Sequence, residues 1–151
     1  ADASASPAAE PQRIDRTERD AKIKRLVLLA TTLSADALKA IEQVSAGVGA
    51  AETVPQCVAY AQGLSGLRTE CQHLRTVIKS NQRPKTARDR QADDKVAQLK
   101  QTMMLALEDV REVVGDANDY FKGNEWDEKV LVAAAQLMKA INTKLASLLS
   151  S

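Results

Sequence analysis

The 151-residue sequence predicts an all-α fold, an up-down-up-down four-helix bundle behind a short irregular N-terminal tail. Three observations carry that prediction. Apolar residues recur at three- and four-residue spacing through most of the chain, the mark of one buried stripe per helix. Stretches rich in Gly, Pro, Asn and Asp interrupt the period at three places, leaving four segments of comparable length joined by short connections. Aromatic residues make up only 3% of a chain that is 44% hydrophobic, which suits Leu- and Ala-filled helical cores and argues against a β-sandwich. A chain of this length buries a continuous core as one domain without metal or disulfide support.

Residues 1–12, ADASASPAAEPQ, have the composition of an extended, disordered tail. Their small residues and prolines resemble the start left after a signal or transit peptide is cut at an A-x-A-like site. The bundle domain spans residues 13–151. From Arg13 the first helix carries Leu26, Leu29, Leu33, Ala37, Ile41, Val44 and Val48 as its stripe. SAGVGAAETVP ends it, with glycines suited to a C-terminal cap and Pro55 suited to the first turn of the second helix. That helix presents Val58, Ala61, Leu64, Leu67, Cys71, Leu74 and Ile78. It stops in SNQRPKTARDR, where Pro84 disfavours helix for the residue before it.

The third helix has the clearest period: Ala92, Val96, Leu99, Met103, Ala106, Val110, Val113, Ala117 and Tyr120. Gly115 sits within it at a cost of roughly 1 kcal/mol relative to Ala, but the stripe keeps phase across it, so one helix is expected. The fourth helix turns Trp126, Val130, Ala134, Leu137, Ile141, Leu145 and Leu148 inward. Between the last two helices, DANDYFKGNEWDEK holds enough acids and amides to suggest a calcium loop. Counted from Asp116, however, Tyr120 falls at the fifth position, Phe121 at the sixth, where glycine is required, and Asp127 at the twelfth. A hinge fits better, with Gly123 closing one helix, Asn124 capping the next and Asp127 at its third position.

Catalytic and cofactor signatures are not evident. His73 is the only histidine and stands two residues from Cys71, on a different helical face, so the pair does not make a metal site. Di-iron carboxylate bundles need more histidines than this chain has. Met103, Met104 and Met138 read as core filling in preference to haem ligands. Cys57 and Cys71 lie roughly 21 Å apart along one helix, too far for a disulfide. GVGAAE at 47–52 follows a helix and lacks the third glycine of a dinucleotide fingerprint. No nucleophile constellation is apparent, so a non-enzyme with no cofactor is expected. Twenty-one basic and 20 acidic side chains nearly cancel, which gives no reason to expect a nucleic-acid partner, and no apolar run is long enough to cross a bilayer.

Charge is nevertheless unevenly placed. Residues 13–25 carry six basic against three acidic side chains, residues 79–90 five against one, and residues 108–128 two against eight. In an up-and-down bundle the first two regions share an end and the third lies at the other, giving a rod with a basic and an acidic pole. Solvated surface charge and helix-dipole preference account for part of this pattern. Electrostatic docking accounts for it equally, with Arg13, Arg16, Arg19, Arg83, Lys85, Arg88 and Arg90 as the basic-pole contacts to an acidic protein surface.

The end of the second helix, GLRTECQHLRTVIKS, with Leu74, Arg75, Thr76, Val77 and Ile78, resembles the corresponding helix of the PsbQ family. QLMKAINTKLASLL, with Ile141, Asn142, Leu145 and Leu148, is similar to the C-terminal helix of that family. The resemblance covers residues 55–150, in the manner of a divergent algal form. Plant members have a tryptophan where the second helix begins, whereas this chain has TVPQCVAY there, and their proline-rich N-terminal extension is longer. The resemblance implies a non-catalytic extrinsic subunit of photosystem II in the thylakoid lumen, peripheral to the membrane. It would dock on the core and other extrinsic subunits, stabilise the oxygen-evolving centre and help retain calcium and chloride bound by the core. Two other bundles compete: an adhesion-type module resembling talin or vinculin segments, and an exchangeable lipid-binding bundle of the apolipoprotein kind.

Overall fold

The apolar period folds as helix throughout. The computed structural model describes residues 15–45, 50–81, 86–121 and 127–150. They form α1 (Arg16–Ser45), α2 (Ala50–Asn81), α3 (Ala87–Phe121) and α4 (Glu128–Ser150), with no strand among the described residues. The chain is an all-α four-helix bundle. Three of the four helix starts show how local sequence sets the boundary. Asp15 caps α1 by accepting the Glu18 N–H at 2.8 Å, so the helix begins after Asp15 and not at Arg13, which lies outside the described residues. Thr86 caps α3 by accepting the Asp89 N–H at 3.2 Å. Asp127 caps α4 by accepting the Lys129 N–H at 3.0 Å. Asp127 was expected at the third helical position and is the cap itself; Gly123, Asn124 and Trp126 lie outside the described residues. Its own N–H is held by both carboxylate oxygens of Asp116, at 3.1 and 3.2 Å, which ties the last part of α3 to the first turn of α4.

Two further boundaries differ from expectation or refine it. Pro55 is the sixth residue of α2, not part of its first turn, because the helix starts at Ala50. Ala50 and Ala51 are strong helix formers and carry the helix back past the proline, whose missing N–H removes one rung of the ladder. At Gly115 α3 runs through without a break: the helix continues to Phe121, and this glycine faces open space.

In cross-section α1 neighbours α2 and α4, and α3 neighbours the same two. The diagonal pair α1 and α3 also approach closely, whereas the α2 and α4 backbones do not approach each other among the described residues. Small side chains line the buried face of α1. Ala30, Ser34 and Ala37 follow one another along the inner face of α1 and are fully buried, as is Ala106 on α3. This also corrects three expected core positions. Leu29 is 48% exposed because Ala30 takes the inner position beside it. Val58 and Leu137 are likewise exposed, and their neighbours Cys57 and Met138 are buried in their stead. On α4 the buried line is Leu131, Ala134, Met138, Ile141, Leu145 and Leu148, a strict three-four alternation that leaves Leu137 one position off the seam. At Leu29 and Val58 the inner position goes to a smaller neighbour, as close helix packing favours. The α1–α2 crossing shows the same rule, since a Cβ added to Gly63 would stand 3.1 Å from Leu33 Cδ1.

α1 and α3 begin at one end of the bundle. The end of α4 reaches Leu148 and Leu149, which line a groove with Ile23 and Val27 of α1 and Ala92 of α3. The first turns of α1 and α3 meet each other directly.

Candidate functional site

Where the first turns of α1 and α3 meet, an ion network joins them. Arg16 grips Asp89 with two parallel bonds, Nε to Oδ1 at 2.7 Å and Nη2 to Oδ2 at 2.8 Å. Arg19 Nη1 donates to the same Asp89 Oδ1 at 2.7 Å and its Nε donates to Asp20 Oδ1 at 2.9 Å. Arg88 completes the chain, donating to Asp20 Oδ2 from Nη2 at 2.7 Å and from Nε at 3.1 Å. Three arginines and two aspartates thus alternate from α1 to α3 and back.

The electrostatics follow from this geometry. Hydrogen bonds from Arg16 and Arg19 hold the Asp89 carboxyl far below the usual carboxylate range, with help from Thr86 and against the effect of burial. Asp89 also sits in the first turn of α3, where the helix dipole favours an anion. Burial raises the Asp20 carboxyl, and bonds from Arg88 and Arg19 outweigh it, for a net lowering. Arg19 and Asp89 are both fully buried, a placement tolerable only because each charge is met by more than one partner.

Beside the network lies a groove of about 700 Å³, lined by α1, α3 and the last described turn of α4. Its floor is apolar, and Lys24, Arg88, Asp94 and Lys95 are on its rim. Among the seven basic-pole candidates, the structure brings Arg16, Arg19 and Arg88 together within this network. Arg19 was expected on a docking surface but its side chain is fully buried, so its charge serves the fold. Arg16 and Arg88 keep exposed flanks while bound to carboxylates, and Arg90 is exposed in the first turn of α3. Arg13, Arg83 and Lys85 lie outside the described residues. The exposed Lys24 and Arg25 add to the cationic surface at this end.

In the sequence, Asp20 and Asp89 count only against the local excess of positive charge. A signal was present: Arg19 falls in phase with Ile23, Leu26 and Ala30, and Asp89 with Ala92, Val96 and Leu99. A charged residue on each of two apolar stripes, both in a first helical turn, asks for a buried partner of opposite sign.

Towards the other end, Asp109 of α3 is also buried, at 3% exposure, and its Oδ2 has no hydrogen-bond partner among the described residues. Burial pushes its carboxyl up to about 7, with Glu112 one turn away adding to the effect. Of the other described acids there, Glu108, Glu112, Asp119, Asp127 and Glu128 are exposed and Asp116 is half-buried. His73 is exposed on α2, and Met103 and Met138 are buried. Cys57 and Cys71 are free and buried, with thiols pushed up to about 11 chiefly by desolvation. Among the described residues no group of three or more His, Cys, Asp or Glu side chains is placed to hold a metal ion, and no helix is long and apolar enough to cross a membrane.

Fold and site together define an α-helical bundle with a salt-bridged, cationic end. Comparison with family models, with curated proteins and with solved structures finds no match.

Proposed function

We propose that this protein is a non-catalytic extrinsic subunit of photosystem II, similar to the PsbQ family, that docks electrostatically on the lumenal face of the complex. Its role is to stabilise the oxygen-evolving centre and to help retain calcium and chloride bound there by the core. The observation that carries the reading is the segregation of exposed charge along the bundle. At or near the end where α1 and α3 begin, the exposed Lys24, Arg25, Lys79, Arg88 and Arg90 outnumber the exposed Asp15, Glu18 and Asp94, and towards the other end Glu108, Glu112, Asp119, Asp127 and Glu128 outnumber Arg111 and Lys129. A field of this shape orients a rod as it approaches an acidic surface and speeds its capture.

Support also comes from the two segments that resemble the family. Leu74, Val77 and Ile78 are buried at the end of α2, and Ile141, Leu145 and Leu148 are buried on α4, so the resemblance falls on positions that hold the bundle together. The internal ion network moves the expected docking surface away from Arg19 and towards Lys24, Arg25 and Arg90.

Rebinding of the purified chain to salt-washed photosystem II membranes tests the reading. Binding at low salt, release by about 1 M NaCl, and weakened rebinding of a Lys24→Glu/Arg25→Glu variant are expected. Failure to rebind at low salt overturns it. Co-sedimentation with cytoskeletal filaments would favour the adhesion-type module, and flotation with liposomes the lipid-binding bundle.

A further inference from the structure

The outward faces of α3 and α4 form a second surface with a pattern of its own. Along α3, Asp94, Gln101, Leu105, Glu108, Glu112 and Asp119 are exposed and recur at helical spacing. Asp116 belongs to this stripe, three turns beyond Leu105, and its bonds to the Asp127 N–H show that the stripe borders α4. On α4, Leu137 lies three turns before Leu148, which lines the groove it shares with Gln91 and Gln98 of α3, so Leu137 borders α3.

The two leucines stand at one height. Leu105 is eleven residues from Asp116 and Leu137 ten from Asp127, which places them within about 2 Å along the axis. They are 41% and 45% exposed. Single surface leucines are ordinary; a level pair between two stripes of opposite charge is not. Around Leu105 the α3 stripe is acidic. Around Leu137 the exposed face of α4 holds Lys129, Ala133, Ala140 and Lys144, and α4 has no acid after Glu128.

We propose that this face is an interface between two copies of the chain, related by a two-fold axis parallel to the helices, with α3 of each copy against α4 of the other. That axis sets Leu105 on Leu137 of the second copy. It also brings Glu112 to within about 3 Å in height of Lys129 of the second copy, inside the reach of a lysine side chain. An axis perpendicular to the helices would set acid stripe on acid stripe and is disfavoured by repulsion. A patch the length of α4, about 34 Å, and two helices wide, about 20 Å, covers about 700 Å² per copy, in the range of specific interfaces. With only two leucines at its centre the association is weak and salt-sensitive. The proposal is independent of the photosystem reading, and each can fail alone.

Sedimentation equilibrium of the full chain at low salt is the test, with circular dichroism checking that each variant is folded. A monomer–dimer equilibrium is expected, weakened about tenfold in about 0.5 M salt and abolished by Leu137→Lys. Lys129→Glu and Glu112→Lys are each expected to weaken it about tenfold, and their combination to restore it, because every reversed acid then meets a reversed lysine across the axis. A chain that stays monomeric up to about 1 mM, a dimer indifferent to the single reversals, or a double variant that does not recover would each overturn the proposal.

Discussion

Replacement of Asp109 by Asn makes the sharpest test of the structure. Burial raises this carboxyl from an ordinary 3.8 to about 7, so in the interval between those values the native state holds a proton that the unfolded chain has released. Stability therefore falls as pH rises through that interval, since the unfolded state binds fewer protons than the native one. The interval is roughly three pH units and, at 1.36 kcal/mol per unit, the full effect is about 4 kcal/mol, a large part of the 5–15 kcal/mol that typically holds a domain together. Above about pH 7 the loss is complete, because both states are then ionised. Asp89 has the opposite sign: its carboxyl is held far below the usual range, so its contribution is complete above the ordinary carboxylate value and is lost only as pH falls well into the acid range. The two together place maximum stability on the acid side of neutrality. Asp109→Asn keeps the side-chain shape and removes the titration. Urea denaturation from pH 4 to pH 9 should show wild-type stability declining towards pH 7, whereas the Asn variant keeps only the smaller decline that the raised Asp116 carboxyl contributes and is the more stable protein at pH 8. A wild-type curve that rises with pH, or an Asn variant with the full wild-type decline, would refute the assignment of the slope to Asp109.

The remaining predictions concern the helices, the network and the thiols. Gly115→Ala should stabilise the protein by about 0.5–1 kcal/mol in thermal or urea melts, because its Cβ meets open space within a continuous helix. Gly63→Ala should gain less, since Leu33 must give way to the new methyl group. Arg19→Ala should cost about 3 kcal/mol, read as a lower urea midpoint, since it removes a buried partner of Asp89 and Asp20 and leaves a void. Both thiols should resist a soluble disulfide reagent at pH 8 in the folded protein and react promptly in denaturant, because burial and a raised pKa suppress the thiolate.

How far the molecule was legible in advance differs from element to element. The third helix could be read almost position by position: every expected core residue from Ala92 to Val113 is buried, because an unbroken four-three alternation leaves one possible inward face. On α1 the choice between Leu29 and Ala30 was open to the sequence, and hydrophobicity alone favours the wrong residue. The basic end was legible as a concentration of charge, but its division into buried and exposed arginines was not. That division depends on Asp89 meeting Arg16 and Arg19 from another helix, 73 and 70 residues away along the chain.

The sequence by itself determined the all-α class, the four helices and the approximate position of every connection, because period, caps and breakers act over a few residues and need no partner. Only the tertiary structure decided which side chains each helix turns inward and which charges remain at the surface. Those outcomes depend on how closely two particular helices approach. Small buried residues such as Ala30, Ala37 and Ala106 permit a close approach, and they take effect only once the helices are packed together.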